Sequence, residues 1–288
     1  MKTPIKTLHL NPTTRIQAIE TGRVAVRPSF KHKKGPGLIS KLNIFLDKEF
    51  TEFMPVYVYV IEHSEGIIVI DTGENAHVKE PDYFEDAGWL GKTFNEKHIR
   101  FEIEKSDEIG PQLAQIGIHP DQVRWVVLTH LHLDHTDGLH YFPNTEILVS
   151  RIEMEKPASH TPYLYPEWFR PTQFEFDTET ELPFGKVHYL TQAKDVALVH
   201  LPGHTWGQAG VLFQYEGRYF LFAGDTTYDL AQLQNRGLAG AHVSYRQAAG
   251  TVDKVLRFMA EEEVVYLASH DGEVGDRLVN PHISSMSS

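Results

Sequence analysis

Four residues with metal-binding side chains lie within one run of six, His130-Leu131-His132-Leu133-Asp134-His135, and this run restricts the possible folds more than any other segment. The run follows Trp125-Val126-Val127-Leu128-Thr129, an apolar, β-branched segment that predicts a buried strand. Histidine nitrogens and carboxylate oxygens are the ligands that zinc-like ions prefer. Side chains two positions apart share one side of an extended segment. The first two histidines can therefore bind one ion, while the next turn directs the aspartate and the third histidine to a second.

The composition narrows the classes of partner. The 288 residues suffice for one large domain or two small ones, and 27 basic against 39 acidic residues give a net charge of −12. This charge disfavours nucleic acid and an anionic membrane as partners. Lys31, Lys33 and Lys34 form one short basic run, which we interpret as a solvated loop. The chain has no cysteine, which excludes disulfides and thiolate metal ligands.

Targeting and membrane signals are weak in this sequence. The first six residues lack the apolar core of a signal peptide, and no run approaches the roughly 18 apolar residues of a membrane span. We therefore expect a cytoplasmic protein that does not use a membrane.

Hydrophobic patterns predict strands in both halves of the chain. A hairpin over 56–61 and 67–70 opens the regular structure and ends at Asp71-Thr72-Gly73. A helix is predicted over 107–116 with Ser106 as its N-cap, and a longer one over 244–262. The remaining strands are predicted at 125–129, 146–150, 187–190, 196–201, 209–215, 219–222 and 264–268. Strands grouped with outer helices predict an α+β fold of two packed sheets between helices, with one continuous domain over 1–276 and a frayed tail over 277–288.

The segment 157–171 departs from this pattern, because four prolines exclude a regular element there. We expect an insertion that forms a lid or pocket wall, with a contact in a homodimer as the alternative. Its aromatic residues are candidates for the substrate pocket: Tyr163, Tyr165, Trp168 and Phe169. Phe45, Phe50 and Phe53 are further candidates upstream.

Three more ligand candidates each follow a predicted strand. His204 lies in a glycine-flanked turn, Asp225 ends the segment Phe222-Ala223-Gly224-Asp225, and His270 follows Leu267-Ala268-Ser269. Distant segments converge where strands end at one rim of a sheet, so these side chains can meet the first run.

These residues resemble a known family. Asp71-Thr72-Gly73, the 130–135 run, Pro202-Gly203-His204-Thr205, Gly224-Asp225 and His270 are similar, in order and spacing, to the five motifs of metallo-β-lactamase-fold hydrolases. The resemblance covers about residues 55–275 and implies a four-layer αββα sandwich of two mixed sheets flanked by helices.

The resemblance also implies a pair of divalent transition-metal ions, with zinc expected and iron, manganese or cobalt as alternatives. One ion would be bound by His130, His132 and His204. The other would be bound by Asp134, His135 and His270, with Asp225 bridging the two. Asp71 would support a ligand or the turn.

The fold does not determine the substrate, so four subclasses are weighed by their residues. Flavodiiron proteins tend to have an acidic residue where this chain has His132. Metallo-β-lactamases themselves need a cysteine or lack the bridging aspartate. RNA-processing relatives need a surface that attracts a polyanion. Glyoxalase-II-like thioesterases usually carry Asp-His-x-Gly-Gly, whereas this chain has Asp137-Gly138 at that point.

A fifth subclass fits best. Asp225-Thr226-Thr227-Tyr228 resembles the N-acyl-homoserine lactone lactonases, which are quorum-quenching enzymes. In that family the tyrosine hydroxyl bonds the substrate near the scissile carbonyl. We expect a hydroxide shared by two ions to attack the lactone ester, Tyr228 to stabilise the oxyanion and Asp134 to carry a proton to the leaving alkoxide.

The predicted partner is a small lactone or ester, with neither nucleic acid nor membrane involved and with a homodimer left open. A thioesterase, another ester or phosphoester hydrolase, and a metal-binding regulatory protein without turnover remain the alternatives.

Overall fold

Two β-sheets lie face to face between helices in this computed structural model, which describes residues 4–280 apart from the side chains of Leu38 and Leu90. Within that range the strands are β1 (Lys6–His9), β2 (Arg15–Val26), β3 (Met54–His63), β4 (Gly66–Ile70), β5 (Ile99–Glu102), β6 (Val123–Val127), β7 (Glu146–Ser150), β8 (Thr172–Phe174), β9 (Val187–Tyr189), β10 (Val196–His200), β11 (Ala209–Tyr215), β12 (Arg218–Phe222) and β13 (Glu263–Leu267). The α-helices are α1 (Pro28–Lys31), α2 (Gly37–Leu46), α3 (Gly88–His98), α4 (Ile109–Gln115), α5 (Leu133–Thr136), α6 (Arg151–Glu155), α7 (Leu230–Gln234), α8 (Tyr245–Glu261) and α9 (Val274–Val279).

Both sheets are mixed. The first has the order β1-β2-β3-β4-β6-β7-β8 with β5 paired to β2, and its pairs change from antiparallel to parallel beyond β4. The second has the order β13-β12-β11-β10-β9, in which β12 and β13 are parallel and the other pairs antiparallel. The parallel strands β4, β6 and β7 end at one rim, and the chain leaves that rim directly into the 130–135 run after β6.

Alternation along the strands explains the layers. In β4, Ile68 and Ile70 face the second sheet and pack with residues such as Phe222 in one core, while Val69 faces away. The outer face of the first sheet packs against α4 through residues such as Leu113. The outer face of the second sheet packs against α8 through residues such as Val255. The layer order is therefore helix, sheet, sheet, helix, as the sequence predicted.

Most predicted elements are present with shifted ends. The hairpin is β3 and β4, the strands 146–150 and 209–215 match β7 and β11, and the helix 244–262 matches α8 with Ser244 as its N-cap. The strand predicted over 125–129 ends at Val127. Thr129 leaves the ladder because its backbone N–H donates to the Asp71 side chain at 2.7 Å.

Three predictions about the elements were wrong. Regular structure begins with β1 and β2 rather than at residue 56. The helix predicted from 107 begins at Ile109, because Glu104 and Asp107 form a capping box around a 3₁₀ turn, and Ser106 is not its N-cap. The predicted tail starts too early, because α9 runs to Val279 and buries Leu278 completely. Residues 281–288 of that predicted tail lie outside the described range.

No helix among residues 4–280 has both the length and the apolar character needed to cross a lipid bilayer.

Candidate metal centre

Four separate strand ends bring the seven predicted ligands to one rim. The extended residues after β6 carry His130 and His132, and α5 carries Asp134 and His135. The other three follow β10, β12 and β13 and are His204, Asp225 and His270. All but His132 and Asp134 are at most 7% exposed.

Two glycines let these turns approach their neighbours. Gly203, before His204, has φ of 143°, and a Cβ there would lie 2.5 Å from the backbone nitrogen of Ala248 in α8. Gly224, before Asp225, has φ of 53°, and a Cβ there would lie 3.0 Å from Thr129 Oγ1. Side chains at either position would be strained, so the glycines set how closely the ligand turns pack.

The potential ligand atoms form two groups. One atom each from His130, His132, His204 and Asp225 lie within 4.8 Å of one another, and so do atoms from Asp134, His135 and His270. In the first group His204 Nε2 lies 2.9 Å from His132 Nδ1. In the second, His270 Nε2 lies 3.3 Å from Asp134 Oδ2.

The Asp225 carboxylate lies between the two groups. Its Oδ2 is 3.4 Å from His204 Nε2 and 3.4 Å from His270 Nε2, and its Oδ1 is 3.4 Å from His135 Nε2. Two donors about 2.0–2.1 Å from one ion at a tetrahedral angle are roughly 3.3 Å apart. These separations would suit side chains that share cations.

Asp71 orients His135. Its Oδ1 accepts the Thr129 N–H at 2.7 Å, and its Oδ2 accepts the Thr129 hydroxyl at 2.9 Å and lies 2.8 Å from His135 Nδ1. A carboxylate only accepts here, so His135 carries its proton on Nδ1 and directs the Nε2 lone pair to the cluster. His270 is held the same way, with Nδ1 2.9 Å from the carbonyl oxygen of Pro55.

Burial and mutual charge decide the protonation of the cluster. Burial lowers the pKa of His130 and of His204 well below the ordinary value, which leaves neutral rings with free lone pairs. Burial opposes ionisation of Asp225, yet His270 and His135 hold its pKa well below the ordinary value. Burial lowers the pKa of His270, but Asp225 and Asp134 raise it to about 10. The carboxylates thus attract positive charge, which protons or cations can supply.

Buried atoms without hydrogen-bond partners indicate whether the site is built for protons or for metal cations. His130 Nε2, His135 Nε2, His204 Nδ1 and Asp225 Oδ1 are all buried without a hydrogen-bond partner among the described residues. Each such group costs about 1–3 kcal/mol when left unsatisfied. The atoms on the inward-facing side of the cluster are His130 Nε2, His135 Nε2 and Asp225 Oδ1, and cation binding would satisfy them. The donor set of imidazoles and carboxylates fits a pair of divalent transition-metal ions.

Tyr228 lies beside this cluster and lines the cavity above it. Its side chain is 7% exposed, and its ring packs at 5.4 Å between centroids against His270. Burial, assisted by the charges of Asp225 and Asp134, raises the pKa of its hydroxyl. The hydroxyl therefore stays protonated and can donate a hydrogen bond at neutral pH.

The cavity has a volume of about 960 Å³ and extends from the cluster to α2 and α3. The lining near these helices includes the apolar side chains of Val24, Phe30, Phe45, Phe94 and Phe101, together with polar ones such as Arg27 and Asp47. A mostly apolar pocket that ends at a few convergent polar groups is typical of a small-molecule site.

The aromatic pocket residues predicted in 157–171 are corrected by the structure. Of the four, only Tyr163 lines the cavity. Phe169 is 6% exposed and packs in the core with Tyr165, because the segment folds back onto the first sheet. Trp168 is 38% exposed and lies away from the cavity. The role of this segment as a lid or dimer contact stays a prediction.

Of the three upstream phenylalanines predicted for the pocket, only one lines the cavity. Phe45 lines the cavity, whereas Phe53 lines a separate depression. Phe50 lies between the guanidinium groups of Arg27 and Arg100, at 3.9 and 4.0 Å from its centroid.

Glu153 is a residue that the sequence analysis missed. It is fully buried, and its carboxylate accepts the Thr205 hydroxyl at 2.7 Å and the backbone N–H groups of Gly207 at 3.0 Å and Leu131 at 3.3 Å. It therefore ties the 130–135 run to the turn that carries His204. The pattern Ser150-x-x-Glu153 resembles a capping box, which would have assigned the side chain to α6 alone.

Two more buried groups were missed. Glu74 lines the cavity, its carboxylate oxygens have no partner among the described residues, and burial together with Asp134 and Asp137 raises its pKa well above the ordinary value. His242 packs 5.8 Å from the His204 ring, and burial lowers its pKa to about 4. No local pattern in the sequence marks either residue.

Comparisons with known proteins agree with this architecture. The model of the Metallo-beta-lactamase superfamily matches residues 51–270. An N-acyl homoserine lactonase of Bacillus sp is 28% identical over 223 residues, which cover 76% of this chain and 82% of the relative.

Two solved structures share the fold. An N-acyl homoserine lactone hydrolase with N-hexanoyl-L-homoserine at its catalytic metal centre has a TM-score of 0.71 at 19% identity, over 94% of this chain and 95% of that chain. AidC, described as a dizinc quorum-quenching lactonase, has a TM-score of 0.65 at 15% identity, over 93% and 90%.

The chain belongs to the metallo-beta-lactamase superfamily, because the family model covers most of its length. The predicted family, its sandwich fold and the general class of metal-dependent hydrolase are confirmed.

Proposed function

We propose that this chain hydrolyses the ester bond of N-acyl-homoserine lactones with two divalent transition-metal ions, zinc being the expected metal. The observation that carries the proposal is the position of Asp225, 3.4 Å from histidines of both ligand groups, at the floor of a largely apolar cavity. The lactonase named among the relatives and the dizinc lactonase of the same fold support the choice of substrate and metal.

Seven side chains would hold the ions: His130, His132 and His204 for one, Asp134, His135 and His270 for the other, and Asp225 between them. When bound, the ions supply Lewis acidity for the ester carbonyl and lower the pKa of water towards neutrality. Asp71 keeps the His135 lone pair directed inward. Glu153 keeps the two histidine-bearing segments in register.

Tyr228 supplies a hydrogen bond where charge develops. Its raised pKa keeps the hydroxyl protonated, and its ring is fixed against His270. As water adds to the ester carbon, the carbonyl oxygen gains negative charge, and a donor already in place stabilises that charge without reorganisation.

Asp134 moves the proton. Burial opposes its ionisation, yet His135 and His270 lower its pKa to about 2, so it begins as a carboxylate and accepts the proton that the attacking water loses. The new C–O bond forms, the ring C–O bond breaks, and the proton passes from Asp134 to the departing alkoxide. The product is the open-chain N-acyl-homoserine, one water heavier than the lactone.

The cavity suits a neutral, amphipathic substrate. The lactone ring would lie at the polar floor near Tyr228, and the acyl chain along the apolar wall that includes Phe45 and Phe94. A neutral substrate also meets no repulsion from a chain with a net charge of −12.

A substrate panel with metal analysis tests the proposal. Purified protein should contain about two transition-metal ions per chain, and a chelator should abolish lactone hydrolysis until metal is restored. Asp134→Asn should lower kcat by roughly 100-fold or more, because the proton carrier is lost.

Thioesters and phosphodiesters complete the panel. Hydrolysis of either in preference to acyl-homoserine lactones would reassign the substrate class. Metal-loaded protein that hydrolyses no member of the panel would contradict the assignment as an enzyme of this kind.

A further inference from the structure

The outward face of α2 is apolar. Ile39, Leu42, Phe45 and Leu46 are 53, 55, 61 and 70% exposed, whereas Ser40 and Ile44 are buried beneath them. The spacing of 39, 42 and 46 puts these side chains on one side of the helix. Most surface helices have the opposite arrangement, and an exposed apolar cluster of this kind marks a contact surface. We call these four exposed residues the α2 face.

The α2 face is continuous with the wall of the cavity. The Phe45 ring contacts Phe94 and His98 of α3, with centroids 5.9 and 5.5 Å apart, and all three residues line the cavity. The same helix α3 also carries Trp89, which is 78% exposed. Phe45 and Phe94 therefore connect the cavity lining with the outside of the molecule.

The segment that carries this face is basic, in contrast to the rest of the chain. Residues 27–52 hold six basic and three acidic residues, a net charge of +3, which leaves −15 for the remainder. Lys31 pairs with Asp229 at 2.9 Å and Lys34 with Asp47 at 3.5 Å. Lys41 and Lys48 are exposed and form no ion pair with any other described residue. Lys41 lies about one helical turn before Phe45 and so borders the face.

We propose that the α2 face docks on an anionic lipid surface. Apolar side chains bordered by lysines on one helix are the pattern that lies in a membrane interface. Anionic lipids attract basic side chains only within a Debye length, about 8 Å at physiological salt, so the unpaired Lys41 and Lys48 decide the interaction rather than the total of −12. This docking needs no membrane-spanning helix.

The charge pattern disfavours a second copy as the occupant. A two-fold dimer joins the same patch on both subunits. Such a contact would bring Lys41 and Lys48 of both copies to one interface, and the repulsion among these unpaired positive charges would oppose it. An anionic lipid surface reverses the sign of that interaction.

The position of the face has one consequence that rests on the proposed function. Docking would place the apolar end of the cavity at the lipid surface. An acyl lactone dissolved in the bilayer could then enter with its lactone ring first, and its acyl chain would follow along the apolar side chains of the wall, without crossing water.

Vesicle sedimentation tests the docking without any use of hydrolysis. Full-length, metal-loaded protein is mixed with vesicles of equal phosphatidylglycerol and phosphatidylcholine, or of phosphatidylcholine alone. We expect at least fivefold more bound protein on the anionic vesicles, and a decrease when NaCl rises from ~0.1 to ~0.5 M.

Two variants and one control locate the contact. Leu42→Ser/Leu46→Ser and Lys41→Glu/Lys48→Glu should each reduce binding at least fivefold, and both alter exposed side chains that folding does not require. Lys186→Glu changes charge at an exposed site outside the face and should bind as the unchanged protein does.

Three outcomes would overturn the docking proposal. The first is that the protein shows no preference for anionic vesicles. The second is that both face variants bind anionic vesicles as well as the unchanged protein does. The third is a mass twice the 32.9 kDa of one chain that returns to a single chain in Leu42→Ser/Leu46→Ser, which would assign the face to a second copy. A protein that hydrolyses lactones but fails to bind vesicles would refute only the docking.

Discussion

Replacing Asp71 with asparagine should disable the second ligand group while leaving the backbone intact. Asp71 has a left-handed backbone conformation with φ of 62°, which asparagine also tolerates. The amide oxygen can still accept the Thr129 N–H. The amide NH₂, however, would face His135 Nδ1, where a carboxylate oxygen now lies 2.8 Å away. Two donors cannot bond each other, so His135 must move its proton to Nε2, which blocks the lone pair directed at the cluster.

The expected magnitude follows from one lost contact. A hydrogen bond to a charged group contributes about 1.5–3 kcal/mol, so the metal-free protein should lose roughly that much unfolding free energy. Loss of a residue that orients a metal ligand typically costs about 10–100-fold in metal affinity. We therefore expect Asp71→Asn to weaken binding of the ion held by Asp134, His135 and His270 by that factor, with less effect on the other ion.

Chelator competition followed spectroscopically measures both affinities, and urea unfolding measures stability. Asp195→Asn is a matched control, because Asp195 Oδ2 lies 3.0 Å from His63 Nε2 in a histidine–aspartate pair remote from the ligands. The control should lose stability and keep its metal affinity. If Asp71→Asn binds both ions as tightly as the unchanged protein, the proposed orientation of His135 is wrong.

Three further predictions concern other parts of the site. Tyr228→Phe removes only the hydroxyl and should lower kcat for lactones about 10–100-fold with metal content unchanged; an equal rate would exclude the proposed hydrogen bond. Glu153→Ala leaves three donors unsatisfied and should cost roughly 3–5 kcal/mol of unfolding free energy, measured by urea unfolding. Glu153→Gln retains an acceptor and should cost less. Equal losses in the two variants would contradict the tie between the two loops. In chelator-treated protein, burial lowers the pKa of His270 but Asp225 and Asp134 raise it to about 10, above the ordinary value of 6.5. The stability that protonated His270 contributes is therefore complete below pH 6.5 and lost as pH rises through 10, and thermal unfolding should show a loss of up to about 5 kcal/mol that metal-loaded protein lacks.

The predicted ligands were accessible from sequence because each is encoded locally. A strand end, a turn and a polar side chain lie within a few residues of one another at His204, Asp225 and His270. The sequence also predicts the long amphipathic helix α8 and the strands β7 and β11, because their hydrophobic pattern continues without interruption.

Elements whose hydrophobic period is interrupted could not be predicted from the sequence. Strand β2 contains a register shift between Glu20 and Arg23, and Gly22 within it has φ of 127°. The bulge interrupts the alternation that identifies a strand. Helix α2 has its apolar side chains on the exposed face, the reverse of the pattern that identifies a surface helix.

Local sequence was enough to identify which side chains can bind cations and on which strand ends they lie. Three features depend on packing between distant segments: Asp225 lies between two ligand groups, Glu153 joins two loops rather than capping α6, and Phe45 rather than Phe169 lines the cavity. Turn and strand preferences act over a few neighbouring residues, whereas these contacts join segments more than 20 residues apart and exist only once both sheets have packed.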